Sequence, residues 1–599
     1  FTSWSHGNHF LKIGGRLRNV RLKSIAPSNF GGSYTFAGGT GPSLDANDQI
    51  IPGGATVEIS SLERYRRTLV FQRQNLTAAQ IRSLGGGAAQ FAIAGGNPEA
   101  GVNQSDLSLY VQDEWKLRPN FTISPGLRYE NQSNISSNLN FAPRIGFAWS
   151  PSVGNKKAAP PATAIKTGDQ AKPGPGAPAK TAGPSQPKTV VRGGVGIFYN
   201  RISENLILQS LRFNGINQQQ FVVSDTAVLD LFPLIPPIGL LNAFAQPQTR
   251  YLLAPDLATA YSFRGSASIE HQLTRDLKLE INYTHARQIR TQRTVNINAP
   301  LAGTYDPAVP SSGTHPLGDG AGNVLESQST GRSAYDSLSV GINGKVGKVN
   351  FWTSYSLNSS RGTDTGTSGS SFNPYDFSQE YGRSSFDVRH WFYASAYYQT
   401  RSGFSVNTFI IANSGPRFNI TTGRDTNGDT FFTERPAFAT DLNKPGVVVT
   451  PLGAFDPNPA PGQPIIPRNF GQAPAFVSVN FGVSKTIKFG RAIPPKTPPP
   501  AAAGSVVTTS GNLSTTQTGT TTGSQKPAPK PQIQRPYQLS FSINANNLLN
   551  RNNQGTPVGN MASPYFLKST GTSGMFFFGP GGGGPGGNRQ ITLRIRLSF

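Results

Sequence analysis

The 599-residue chain has no cysteine, two methionines and a charged fraction of only 14%. The absence of cysteine excludes a disulfide scaffold and any thiol-ligated metal, and is compatible with a cell-envelope protein. Long apolar runs are missing too. The nearest candidate for a membrane helix, LFPLIPPIGLLNAFA at 231–245, is cut by three prolines, whereas a helical span needs about 20 consecutive apolar residues. Apolar residues make up 36% of the chain and mean hydropathy is −0.34, both low for a soluble core of this size. Length alone suggests several domains, although a large β-barrel is a single unit of comparable length. The opening FTSWSHGNHF has no Met, no basic region and no apolar leader. It reads as the end of one strand, a tight turn and the next strand, so the expectation is a chain whose own N-terminus lies upstream.

Catalytic constellations are equally scarce. The six histidines are scattered, and no nucleophile elbow, phosphate loop or zinc motif is present. No enzyme activity is expected. His6 and His9 are the only pair at ligand-like spacing, and they flank a tight turn, where a solvated role is favoured over metal. The balance of 54 Lys and Arg against 30 Asp and Glu makes the chain strongly basic, with a formal charge of +24. Nothing resembles a nucleic-acid recognition helix or RNA-binding sheet. Contacts of basic side chains with anionic lipid headgroups and an aqueous lumen account for the charge more simply.

What the chain does have is alternation. In SLYVQDEWKLRPNFTISPGLRYE (108–130), Leu109, Val111, Trp115 and Leu117 alternate with Ser108, Gln112, Lys116 and Arg118. Beyond Pro119-Asn120 the pattern resumes with Phe121, Ile123, Leu127 and Tyr129, broken only by Asp113 and Pro125. A period of two marks strands with one apolar and one polar face. The same pattern recurs down the chain to the terminal RQITLRIRLSF, giving about fourteen full strands plus a stub at Phe1. The connections alternate between tight turns and long polar loops (131–139, 201–257, 295–332, 358–384, 413–474 and 550–588). An outer-membrane barrel places short turns in the periplasm and long loops outside. Counting back from Phe599, every short turn falls on the periplasmic side. The fold expected is therefore all-β: an antiparallel transmembrane β-barrel whose apolar face meets lipid.

Residues 155–188 and 491–535 break the short-turn rule. Both are rich in Pro, Ala, Thr and Lys and cannot bury a core. They read as periplasmic insertions, either tolerated disorder or a basic tether for peptidoglycan or an acidic partner. One loop region reads as helical: Ser60…Glu63 and Thr77…Gln80 fit capping boxes, and Gly85-Gly86-Gly87 stops the second helix. Arg64, Arg66, Arg67 and Arg73 on the first helix suggest a solvated basic face or a contact with lipopolysaccharide phosphates.

The sequences LYVQDEWKLRPNFTISPGLRYE, FAPRIGFAWSP with VVRGGVGIFYNR, FDVRHWFYASAYY, FNITTGRDTNGDTFFTERPA and the final RQITLRIRLSF, in this order, resemble TonB-dependent receptors. The nearest kind is the Oar-like (OmpA-related) group, which carries a carboxypeptidase-regulatory-like domain at its N-terminus. The resemblance covers nearly the whole chain apart from the two insertions. It implies a 22-stranded barrel with a plug and a TonB box upstream, of which this chain is the C-terminal 14–15 strands, residues 1–599 being an N-terminally incomplete barrel domain. It implies energy-coupled uptake of a large scarce solute of siderophore, glycan or peptide class. A self-contained barrel of about 14 strands is the structural alternative, and a non-transporting structural or adhesive barrel or a passive porin-like channel the functional ones. The implied partners are outer-membrane lipid and lipopolysaccharide, the barrel-assembly machinery reading Phe599, the TonB complex through the upstream region, and an unidentified solute.

One metal-site candidate stands out. Asp425-Thr426-Asn427-Gly428-Asp429 places Asp425, Asn427 and Asp429 at alternate positions, like the opening of a calcium loop, because Ca²⁺ needs several closely spaced hard oxygens. Thr430 stands where a Gly is expected, and Glu434 lies nearby without filling the twelfth position. A plain Asx-rich turn is the alternative, and no other cofactor is expected. Loop aromatics, Phe372, Tyr375, Phe377 and Tyr381 and the Met575-Phe576-Phe577-Phe578 run, suggest either ligand stacking or anchoring and packing between loops.

Overall fold

The structure, a computed structural model, describes residues 1–151, 187–243, 246–309, 312–363, 373–460, 462–491, 535–573 and 587–599. Among the described residues the main sheet has seventeen strands: fifteen in an antiparallel series and two short loop strands, Arg250–Leu253 and Gly382–Arg383, added at strand ends. The series begins with β1 (Thr2–His6), β2 (His9–Ile25), β3 (Glu99–Arg118), β4 (Phe121–Gln132) and β5 (Asn140–Trp149). β6 (Thr189–Tyr199), β7 (Tyr261–Gln272), β8 (Leu277–Asn296), β9 (Val324–Val346) and β10 (Val349–Gly362) follow. The sheet ends with β11 (His390–Gln399), β12 (Phe404–Asn413), β13 (Phe476–Phe489), β14 (Tyr537–Asn546) and β15 (Gln590–Ser598). Each pairs antiparallel with its neighbour in this series. Fourteen full strands and the short β1 match the count read from alternation. No pairing joins β1 to β15 among the described residues.

The two faces of this sheet are inverted relative to a soluble protein. Ile13, Val111 and Leu127 stand side by side across β2, β3 and β4, and all three are exposed. Leu338, Val340 and Ile342 of β9 are likewise exposed, while Ser337, Ser339 and Gly341 between them are half-buried. An apolar band of this kind is stable only when lipid covers it, at roughly 25 cal/mol per Å² removed from water. Between β1 and β15 the strands are hydrogen-bonded to their neighbours, apart from the interruption in the β3–β4 ladder, which meets the need of a bilayer for paired backbone groups. No described helix is long and apolar enough to cross a membrane.

The irregularities have local causes. Pro125 has no N–H, and the β3–β4 ladder skips the pairs at Asp113 and Glu114 opposite it. Asp113, placed with the lipid-facing residues, lies near the short-turn end, where His9 Nδ1 meets its Oδ2 at 2.6 Å.

The connections sort by end as expected. Gly7-Asn8, Pro119-Asn120, 273–276, Gly347-Lys348 and 400–403 close tight turns at one end. Residues 26–98, 133–139, 200–260, 297–323, 363–389, 414–475 and 547–589 emerge at the other. The proposed insertions 155–188 and 491–535 join strands at the short-turn end, but apart from 187–188, 491 and 535 they lie outside the described residues.

The buried hydrophobic clusters lie in the loops and where strand ends meet them. Phe91, Ile93, Phe221, Val228 and Leu241 form one between loops 26–98 and 200–260. Ile202, Leu206 and Leu257 pack on Ala100 and Val102 at the top of β3. Phe418, Ile420, Phe455 and Ile466 form a third, with Met561 and Phe566 from the 547–589 loop. The long loops thus carry their own cores, which is why segments so rich in polar residues hold a defined structure.

Candidate functional site

The basic helix forms as its capping residues predict. In α1 (Ser61–Arg73) the Ser60 hydroxyl accepts the Glu63 N–H, and in α2 (Ala78–Ser83) Thr77 and Gln80 complete a reciprocal capping box. Gly85 follows α2 at φ +81, the left-handed conformation that ends a helix without Cβ strain. Arg66 and Arg73 are exposed, as a solvated face requires, whereas Arg64 and Arg67 turn into the loop. Arg67 is almost fully buried: its Nε donates to Glu63 Oε1 at 2.9 Å and its Nη1 donates to the carbonyls of Pro42 and Leu84 at 3.0 and 2.9 Å. Arg64 Nε donates to the Gly87 carbonyl at 2.7 Å, and Arg66 bridges Glu63 and Asp48. A buried guanidinium must satisfy its fork of donors, and these carbonyls and carboxylates, most of them distant in sequence, do so.

The loop aromatics are also engaged. The Tyr375 hydroxyl donates to the Ala299 carbonyl, the Phe377 ring lies 3.8 Å beneath the Arg293 guanidinium, and Tyr381 lies against Arg332. They pack between loop and strand ends. Phe372 and the Met575–Phe578 run lie outside the described residues. His6 stacks on Trp4 and His9 on Trp115, so the histidine pair serves the turn and its flanking aromatics.

The acidic loop is the most built of the predicted sites. Asp425 Oδ1 accepts the Gly428 N–H at 2.7 Å and its Oδ2 accepts the Thr430 N–H at 2.8 Å. Asp429 Oδ1 accepts the Phe431 N–H at 2.8 Å. Gly428 at φ +74 and Thr430 at φ +70 allow the chain to wind this tightly. The predicted ligand Asn427 is used differently. Its Oδ1 accepts the Asp429 N–H at 3.0 Å, and the third acid of the cluster is Glu434. Oxygens of Asp425, Asp429 and Glu434 lie within 4.8 Å of one another. Glu434 Oε1 accepts the Thr426 N–H at 3.0 Å; its Oε2 is buried with no hydrogen-bond partner. Burial pushes all three carboxyls above their ordinary range, and for Asp429 and Glu434 the neighbouring acids push further. The same charges and burial hold the Tyr305 hydroxyl well above its usual value.

The cluster is tied to its surroundings through the backbone. Asn296 Nδ2, at the end of β8, donates to the Asp429 carbonyl at 3.3 Å, and Gln90 Nε2 donates to the Thr430 carbonyl at 3.1 Å.

A second feature, absent from the sequence-level expectations, lies on the inward face of β2 to β4. A cavity of about 340 Å³ is lined by Arg16, Arg18, Tyr110, Arg128 and Arg201 together with Asp106. Arg18 bridges Asp106 at 2.8 Å and Glu204 at 2.5 Å, so a strand and the 200–260 loop are clamped at its rim. Alternation could have placed Arg18 and Asp106 on the inner face; only docking of the loop brings Glu204 to them.

A family model described as the outer membrane beta barrel domain matches residues 2–138 and 181–493. No curated protein sequence matches the chain. Among solved structures, the outer membrane transporter YddB from Escherichia coli aligns with 100% of this chain and 52% of its own, at 10% identity and TM-score 0.45. A variant of the ferric enterobactin receptor PfeA from Pseudomonas aeruginosa aligns with 98% of this chain and 51% of its own, at 9% identity and TM-score 0.43. The FrpB iron transporter from Neisseria meningitidis aligns with 99% and 53%, at 9% identity and TM-score 0.42. The chain spans about half the length of these structures.

Proposed function

Because the chain belongs to the outer membrane beta-barrel domain family and is an integral outer-membrane protein, we propose that it is the barrel portion of a TonB-dependent receptor of the Oar-like group. In this reading it takes up a large scarce solute, of siderophore, glycan or peptide class, using energy delivered through TonB. The upstream region would hold the carboxypeptidase-regulatory-like domain, the TonB box, the plug and the first strands.

The observation that carries the proposal is the strand count with its free edges. Fourteen full strands and β1 make one sheet, yet β1 and β15 do not pair with each other among the described residues. A sheet in lipid has to close, since an open edge leaves N–H and C=O groups unpaired in hydrocarbon. Closure at 22 strands gives a lumen wide enough to need a plug. Numbered back from β15 as strand 22, β1 is strand eight. The roof of interlocked loops provides a solute-facing surface, and the cavity beside Arg18 and Tyr110 opens on the inner face beneath it. Phe599 would serve the barrel-assembly machinery as its signal, and the basic outer surface would meet lipopolysaccharide.

The test uses the full-length protein in outer membranes, with the periplasmic domain of TonB as bait. Co-purification that disappears when an upstream TonB box is deleted supports the reading. A reading frame upstream of Phe1 that encodes neither box nor plug overturns it in favour of a passive or adhesive barrel.

A further inference from the structure

Three carboxylates, of Asp425, Asp429 and Glu434, sit together in the 414–475 loop. Asp425, Asp429 and Glu434 form no ion pair with any Lys or Arg among the described residues. Nearby Arg424 turns away to Glu58. Burying even one unpaired carboxylate is costly, and three within contact distance repel one another as well.

The hydrogen bonds that do exist leave room for a ligand. Asp425 and the Oδ1 of Asp429 accept backbone N–H groups, and Asp429 Oδ2 accepts the Asn427 side-chain amide at 3.3 Å, which fixes each carboxylate in place. Each carboxylate oxygen has a second lone pair. Glu434 is only 4% exposed, and its Oε2 has no partner at all. That buried oxygen, in a group whose ligand atoms lie within 4.8 Å of one another, needs a cation or a proton.

We propose that Asp425, Asp429 and Glu434 bind one Ca²⁺, which locks the 414–475 loop onto the top of β8 and onto the 26–98 loop. The donor chemistry selects the metal class. All donors are hard oxygens, with no His or Cys, which disfavours zinc and the softer transition metals. An irregular set of carboxylates on a loop suits Ca²⁺, which accepts variable geometry, better than Mg²⁺, which demands a near-ideal octahedron. The structural effect follows from the contacts at the site. The Asp429 and Thr430 carbonyls receive Asn296 and Gln90, so fixing the acids fixes the junction of three extracellular segments. This role is independent of the transport reading and holds for any outer-membrane barrel with this loop.

The test is ⁴⁵Ca²⁺ equilibrium binding to the full-length protein, upstream strands included, folded in lipid vesicles, with Mg²⁺ as competitor. One ion per chain is expected, with a dissociation constant on the order of 10⁻³ M or tighter, as for extracellular calcium modules. Glu434→Gln and Asp429→Asn should each weaken binding at least tenfold, while Asp441→Asn, on an exposed stretch of the same loop, should not. Tb³⁺ supplies a second readout that locates the ion without those variants. Bound in this cluster it is excited through Tyr305, and Tyr305→Phe should remove most of that luminescence. Failure of the wild-type protein to bind Ca²⁺ overturns the proposal. Binding unaffected by Glu434→Gln, or Mg²⁺ competing as well as Ca²⁺, overturns it too.

Discussion

Arg424, on the loop after β12, forms an ion pair with Glu58, on the loop after β2. Arg424 also donates to Asn458 Oδ1 at 3.0 Å and approaches the Gly39 carbonyl, 385 residues away in sequence, at 3.5 Å. Beside it, the Ser61 N–H donates to the Ala562 carbonyl at 2.8 Å. Three loops that emerge from widely separated strands therefore meet at one junction, and burial lowers the proton affinity of the Arg424 guanidinium there.

Glu58→Gln should loosen this junction without unfolding the barrel. The glutamate is partly exposed, so the expected local loss is about 1 kcal/mol, or roughly fivefold more opening. Limited proteolysis in outer-membrane vesicles should show faster cleavage within 26–98 and 414–475. Heat-modifiable migration of the barrel on gels should be unchanged.

The inverted faces of β9 predict opposite outcomes at adjacent positions. Val340→Arg puts a charge on the lipid face and should destabilise the barrel by about 2–4 kcal/mol. Ser339→Arg points the other way, beside Asn282 and Ser356 in the register, and should be tolerated within about 0.5 kcal/mol. Urea unfolding in lipid vesicles compares the two. Equal effects would contradict the assignment of faces.

The short α2 depends on its ends. Thr77→Ala removes the reciprocal cap with Gln80 and should cost about 1 kcal/mol. Gly85→Ala should cost more, because φ there is +81 and a Cβ would lie 2.8 Å from Ile59 Cδ1. Hydrogen exchange over 78–84 should speed up in both, more in the second.

Loop order should depend on pH through Glu63. Hydrogen bonds from Arg66, and then from Arg67, hold its carboxyl below the usual range against the opposing effect of burial. A depressed carboxyl contributes stability that is present above its unfolded value of about 4.3 and is lost as pH falls through the lower folded value. Exchange protection of α1, corrected for intrinsic rates, should therefore fall at acidic pH, below about 4.3. In Glu63→Gln it should already be lower at neutral pH and much less sensitive to acid.

The legible parts of this protein were the local ones. Alternation in the stretch from Leu107 to Tyr129 defined β3, the Pro119-Asn120 turn and β4, because successive side chains on a strand point to opposite faces whatever else the chain does. The same rule marked Asp113 and Pro125 as departures, and both prove to be places where the ladder is interrupted or the lipid face is punctuated. Capping residues located α1 and α2, since a cap bonds within three residues of itself. In the acidic loop, Asp425 and Asp429 were visible by spacing.

Glu434 was legible as a neighbour but not as a member of the cluster, and spacing did not show that Asn427 accepts the Asp429 N–H and donates to the Asp429 carboxylate. The fate of Arg67 was likewise hidden, because its carbonyl partners, Pro42 and Leu84, come from segments that meet only when the loop has folded.

The sequence by itself determined the strand period, the turns, the side on which long loops emerge and the lipid-facing residues, since these follow from backbone geometry over a few residues. Tertiary structure alone decided how the loops lock together, which arginines are buried and which acids converge. Those contacts join residues tens to hundreds of positions apart, and their energy comes from shape and charge complementarity offsetting the entropy of closing long loops, which no local pattern records.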